Sequence, residues 1–230
     1  MELTFLGRDT GLAENHTSAY FVTGNNELVV IDCSVTAFQK LKQLKLQDYE
    51  HIYVHITHTH GDHVSGVNLL LQYMYFKYQK TITIVSPSEP VTEDLKTLLR
   101  IEGCASDWYS IITAVDFKKE WLTATIPTTH TPMLEGKCFG YVFNINGKSV
   151  VYTGDTNTLA PFELAIEHCD ELYVDICINK SAAHLNIDNA IDRLVCLAES
   201  NVKVFLMHLD DAEMASKIIH YLPNVDVAPV

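Results

Sequence analysis

Positive charge is scarce in this sequence. Lysine and arginine number 16 against 29 acidic residues, giving a formal net charge of −13 and a pI near 5.2. Long nucleic acids are gripped by basic faces, so this balance weighs against a large RNA or DNA as a partner. Also missing is any apolar run near the roughly 20 residues that span a bilayer. The opening MELTFLG lacks the basic stretch and small-residue cleavage site of a secretion signal. Both absences lead to the expectation of a cytoplasmic protein with no membrane partner. No CxxC pair occurs; Cys33, Cys104, Cys138, Cys169, Cys177 and Cys196 stand singly, mostly in apolar stretches. They read as buried free thiols and not as a disulfide framework. Low-complexity segments and sequence repeats are absent too.

What remains is 230 residues, 47% of them hydrophobic, enough for the core of one sizeable domain over residues 1–230. Short β-branched and aromatic runs predict strands at 3–6, 18–23, 27–32, 52–57, 81–86, 122–127, 140–145, 148–153, 171–176 and 202–207. Asn146-Gly147 signals a hairpin between two of them. Helices are expected near 37–44, 64–78, 91–100, 160–168, 187–199 and 211–221. Pro90 and Pro161 suit first turns, with Thr92 or Asp188 as caps. Mixed sheets covered by helices follow from this alternation, an α/β class. The aromatic stretch LQYMYFKY (71–78) reads as a core face or a dimer contact on one side of a helix.

One stretch stands apart. HITHTHGDHVSG (55–66) crowds His58, His60, Asp62 and His63 between a strand end and a helix start. Such a loop can feed two cations about 3.5–4 Å apart, a spacing that suits a shared nucleophile. Gly61 would supply a positive φ in the turn. Thr57 and Thr59 would hold ring nitrogens or backbone groups from outside. Further ligands should come from other strand ends, and three fit. His130 follows strand 122–127, Asp155 follows 148–153 and His208 follows 202–207.

HxHxDH, then a lone histidine, then GDT, then a strand-end histidine resembles the metallo-β-lactamase superfamily. That resemblance implies a four-layer αββα sandwich with metals at one edge of the β layers. It implies His58, His60 and His130 on one metal, Asp62, His63 and His208 on the second, and Asp155 bridging. Two divalent ions are expected, zinc by default, with manganese, iron, cobalt or nickel as other occupants of the same donors.

TGDT (153–156) with AAHLNIDNAI (182–191) resembles the RNase Z-like branch. There a later histidine protonates the leaving group; His184 holds that place, and Asp175 would orient it. A metal-bridging hydroxide, also held by Asp62, would attack phosphorus. Only TPMLEGKCFGYVFNINGKSVVYTG separates His130 from Asp155, too short for the tRNA-gripping arm of the tRNA-processing enzymes. The resemblance thus points to the branch's compact phosphodiesterases, with a small or cyclic phosphodiester as substrate and a homodimer as the assembly. Two other readings stand beside it: hydrolysis of an ester, lactone or thioester by the same hydroxide, and a metal-binding sensor or redox protein without hydrolysis. Lys148, Lys180, Arg100 and Arg193 read as solvated surface charges.

Overall fold

A computed structural model describes residues 3–230; Met1 and Glu2, the start of the expected 1–230 domain, lie outside the described residues. The chain divides into two compact units. One runs as far as Gly7 and resumes over Glu14–Lys118; the other comprises Arg8–Ala13 and Lys119–Val230.

The first unit holds a six-stranded sheet in the order β1 (Thr4–Gly7), β2 (Ser18–Val22), β3 (Glu27–Ile31), β4 (His51–His55), β5 (Ile82–Ser86) and β6 (Tyr109–Thr113). The first three strands form an antiparallel meander; β3 to β6 run parallel. Helices α1 (Val35–Leu41), α2 (Gly61–Val64), α3 (Val67–Tyr78) and α4 (Glu89–Ile101) fill the crossovers. Every residue of β3, ELVVI, is buried, as an inner strand of a parallel sheet requires. Helix α3 buries Val67, Leu70, Leu71 and Met74, the i, i+3, i+4, i+7 stripe. Ser34 caps α1 by accepting the Ala37 N–H at 3.1 Å.

The second unit repeats that topology without any sequence repeat. Its strands are β7 (Leu122–Pro127), β8 (Phe139–Ile145), β9 (Lys148–Tyr152), β10 (Glu171–Asp175), β11 (Lys203–Met207) and β12 (Val225–Val227), in that spatial order. Again a three-strand meander leads into parallel strands. Asn146 and Gly147 join β8 to β9 with φ of 56° and 81°, the two positive values of a type I′ turn. Helices α5 (Glu163–Ile166), α6 (Ile187–Ala198) and α7 (Ala212–Ile219) follow. Leu172, Val174, Val204 and Leu206 of the sheet and Ile187, Leu194 and Leu197 of α6 join one apolar cluster. Each such side chain contributes roughly 2 kcal/mol by leaving water.

Every anticipated strand is present, with ends shifted by at most two residues. Edge strands β6 and β12 were not anticipated. The expected helix 64–78 is broken at Ser65-Gly66: the Gly66 N–H donates to the Cys33 carbonyl at 2.8 Å, and a Cβ there would stand 2.1 Å from the Ser34 carbonyl oxygen. The chain crosses too closely for one continuous helix. The segment at 160–168 is a 3₁₀ turn, Ala160–Phe162, running into the short α5. Thr92 and Asp188 are not caps. Thr92 lies inside α4, and Asn186 caps α6 by accepting the Asp188 N–H at 3.1 Å. In the 71–78 stretch, Leu71 and Met74 make the buried face. The aromatics lie off it: Phe76 is 62% exposed, and Tyr75 stacks on Trp108 with ring centres 5.5 Å apart. All the cysteines are free; Cys196 is exposed and the others are buried. Among the described residues no helix is long and apolar enough to cross a membrane.

The fold places chemistry at the C-terminal ends of parallel strands, where α/β sheets present their loops. Asp32 follows β3, the 58–63 turn follows β4, Asp155 follows β9, Asp175 ends β10 and His208 follows β11.

Candidate metal centre

In the first unit the turn after β4 is organised by Thr57 and Asp32. Asp32 is wholly buried at a φ of 57°. Its Oδ1 accepts the Thr57 N–H at 2.8 Å, and its Oδ2 accepts the Thr57 hydroxyl and His63 Nδ1, each at 2.8 Å. With its hydrogen given to Asp32, Thr57 Oγ1 accepts from His58 Nδ1 at 3.0 Å. The outer nitrogens of His58 and His63 are thereby engaged, which leaves each Nε2 as the coordinating atom. Burial raises the Asp32 carboxyl above its ordinary value, opposed by the nearby His63 imidazole and the Thr57 donors.

Those inner nitrogens are grouped. His58 Nε2 lies 3.0 Å from His60 Nδ1, and His63 Nε2 lies 3.4 Å from Asp62 Oδ2. Two donors each about 2.0–2.1 Å from a tetrahedral ion stand roughly 3.3 Å apart, so both pairs fit shared cations. Gly61 departs from expectation: it opens α2 with an ordinary helical backbone, and a Cβ there would meet nothing. The turn is made by the helix start, with no left-handed residue.

In the second unit His130 Nδ1 donates to the Ala183 carbonyl at 2.8 Å, leaving Nε2 3.6 Å from Asp155 Oδ2. His208 Nε2 stands 3.4 Å from the same oxygen. One carboxylate oxygen between two imidazoles is what a bridging ligand presents. Asp155 is 3% exposed, so its charge calls for cations close by. His208 adopts a φ of 55°, which turns the chain sharply after β11.

Asp175 is wholly buried beside this group. Its Oδ2 accepts the Thr156 N–H at 2.9 Å and His184 Nδ1 at 2.8 Å; its Oδ1 lies 3.6 Å from His208 Nδ1. Burial raises the Asp175 carboxyl, against the hydrogen bond from His184. Burial likewise pushes His184 down, but the hydrogen bond and charge of Asp175, with Asp155, outweigh it and favour the imidazolium. The His184 ring stacks on that of His208, centres 4.7 Å apart. One donor atom each from Asp155, Asp175, His184 and His208 fall within 4.8 Å of one another.

Each candidate therefore falls in one of two clusters: His58, His60, Asp62 and His63 in the first unit; His130, Asp155, Asp175, His184 and His208 in the second. In both, the donors are imidazole and carboxylate, and His58, His63, His130 and His184 have an outer ring nitrogen engaged, a set that fits divalent metal. Asp32 was missed by sequence reasoning. Its signal was an acid directly after five buried strand residues, close to the pattern of Asp175, which closes the buried strand ELYVD. Lys148 pairs with Glu171 at 2.7 Å and Arg193 with Glu163 at 2.5 Å.

The family profile of the Anti-Pycsar protein Apyc1 matches residues 1–220. The chain belongs to that family. A UPF0173 metal-dependent hydrolase of Staphylococcus carnosus is 25% identical over 183 residues, 77% of this chain and 71% of the relative. Ribonuclease Z of Listeria welshimeri is 37% identical over 111 residues, 45% of this chain. That match spans only 35% of the Listeria protein's length. Among solved structures, the metallo-beta-lactamase fold protein YhfI of Bacillus subtilis superposes with a TM-score of 0.75 at 18% identity, covering 98% of this chain and 95% of that one. The fold is the αββα metallo-β-lactamase fold.

Proposed function

We propose that residues 1–230 act as one dinuclear metal-dependent hydrolase, a phosphodiesterase of small or cyclic phosphodiesters. The observation that carries this reading is Asp155 Oδ2, set 3.6 Å from His130 Nε2 and 3.4 Å from His208 Nε2, with the Asp175–His184 pair beside it. In this reading His58, His60 and His130 would hold one ion, Asp62, His63 and His208 would hold the other, and Asp155 would serve both. Zinc is the assigned metal, since imidazole and carboxylate donors suit it; manganese and iron accept the same donors. The hydrolase and ribonuclease relatives support the reaction class. The net charge of −13 and the short link from His130 to Asp155 support a small substrate over a long RNA. Unpaired, mostly buried thiols support a cytoplasmic setting. The resemblance to the compact branch supports a homodimer.

When bound, the two cations acidify water and neutralise charge on the phosphoryl oxygens. Asp62 orients the attacking water and takes up its proton. His184 holds one proton at Nδ1 against Asp175 and donates a second, from Nε2, to the departing alkoxide. Such a donor contributes roughly 10²–10⁴-fold. Asp175 positions His184 and stabilises its charged form.

The test is a substrate panel: a cyclic nucleotide and bis-p-nitrophenyl phosphate against an acyl ester and a lactone. Turnover of the phosphodiesters alone supports the reading. Turnover of the acyl substrates alone would replace it with an esterase or lactonase. Iron content with reduction of dioxygen or NO and no hydrolysis would replace it with a redox protein.

A further inference from the structure

His184 sits on an exposed loop, residues 178–185, and something must fix that loop for proton transfer to be aligned. Asn179, Lys180, Ser181 and Ala182 are all exposed, so packing does little of this. The ties are polar. At the loop's base, the Cys177 N–H donates to the Leu185 carbonyl at 2.9 Å and Asn186 Nδ2 to the Ile178 carbonyl at 3.1 Å. At its crown, Asn157 Nδ2 donates to the Ala182 carbonyl at 3.1 Å and His130 Nδ1 to that of Ala183 at 2.8 Å. At its entrance three donors converge on one carboxylate. Asp210 Oδ1 accepts the Ile178 N–H at 2.7 Å, and Oδ2 accepts the Asn179 N–H at 2.9 Å and Asn179 Nδ2 at 2.7 Å.

Asp210 is mounted on firm ground. The preceding Leu209 is 1% exposed. Its N–H donates to the Arg8 carbonyl at 2.9 Å, and its carbonyl accepts the Thr10 N–H at 3.1 Å. Two residues before Asp210 stands His208, whose ring stacks on His184. One turn thus carries both the ring that faces His184 and the carboxylate that holds the start of its loop.

We propose that Asp210 is a positioning residue for the His184 proton-transfer step. This rests on His184 being the proton donor. Charge-assisted bonds to two successive backbone N–H groups fix where the loop leaves the sheet, and a misplacement near 1 Å at a donor can cost on the order of 100-fold in rate. Asp210 touches no reacting atom; it acts through the loop. Being exposed, it can be removed with its donors turning to water, so the fold survives.

The experiment pairs Asp210→Ala with His184→Ala and the double variant on two phosphodiesters. One releases p-nitrophenolate, which needs no proton; the other releases an alkoxide, which does. Asp210→Ala should lose about 10-fold or more in kcat on the alkoxide substrate and less than about twofold on the nitrophenyl one. In the His184→Ala background it should cost nothing further, and Asp210→Asn, keeping one acceptor oxygen, should fall between. Amide exchange over 178–185 should quicken in Asp210→Ala, with metal content unchanged. Equal loss on both substrates, an additive double variant or unaltered exchange would each overturn the proposal. If His184→Ala itself shows no dependence on leaving group, the donor assignment fails first, and this inference falls with it.

Discussion

Asp32→Asn tests the metal-site architecture most sharply, because it changes one atom and no volume. Asp32 accepts three hydrogen bonds: Thr57 N–H on Oδ1, Thr57 hydroxyl and His63 Nδ1 on Oδ2. Asparagine has one acceptor oxygen. If that oxygen faces the Thr57 N–H, its amide faces His63 Nδ1. His63 must then accept at Nδ1 and carry its proton at Nε2, the atom 3.4 Å from Asp62 Oδ2 that would coordinate metal. If the amide is flipped, its N–H₂ opposes the Thr57 N–H, and the turn bearing His58 loses its anchor. Either orientation leaves a buried donor opposed, costing about 1–3 kcal/mol of stability. The tautomer change should weaken metal binding by roughly 10–100-fold, the usual effect of altering a carboxylate behind a ligating imidazole. Chelator competition on folded protein reads this directly. Undiminished affinity in Asp32→Asn would refute the reasoning, since the carboxylate would then not set the state of His63.

His55 is wholly buried against Phe117, and burial lowers its imidazole to about 3 from an ordinary 6.5. Its folded pKa is depressed, so below pH 6.5 the unfolded chain takes up the proton first and stability falls by about 1.4 kcal/mol per pH unit. Denaturant midpoints from pH 7 to 5 should show that slope in the parent and a flatter one in His55→Met; equal slopes would contradict it. Gly66→Ala places a Cβ 2.1 Å from the Ser34 carbonyl oxygen, a backbone atom with no freedom to yield. It should cost about 3 kcal/mol, read as a lowered thermal midpoint, whereas Gly61→Ala, with open space around it, should be nearly neutral.

Much of the fold was readable because strands such as ELVVI and ELYVD are short, β-rich and bounded by turn residues. The edge strand YSIIT was not, since its half-buried residues carry no clean alternation. The final strand VDV is too brief to register. The break at Gly66 depends on a carbonyl more than thirty positions earlier in sequence, contact that no local pattern contains. For the site, HTHGDH announced itself by chemistry, and the strand-end residues His130, Asp155 and His208 by place. Asp32 escaped because it lies far in sequence from the histidine it orients. Asp210 carries no signal in the sequence; only the fold brings the Ile178 and Asn179 donors onto it.

Metal content of the purified protein, measured in the parent and in Asp155→Ala alongside phosphodiester hydrolysis, meets the central claim head-on. The account predicts two ions per chain and turnover in the parent, with both lost in the variant and turnover abolished by chelation and restored by added zinc. A parent that hydrolyses phosphodiesters while free of metal, or an Asp155→Ala protein that keeps both ions and full rate, would contradict it.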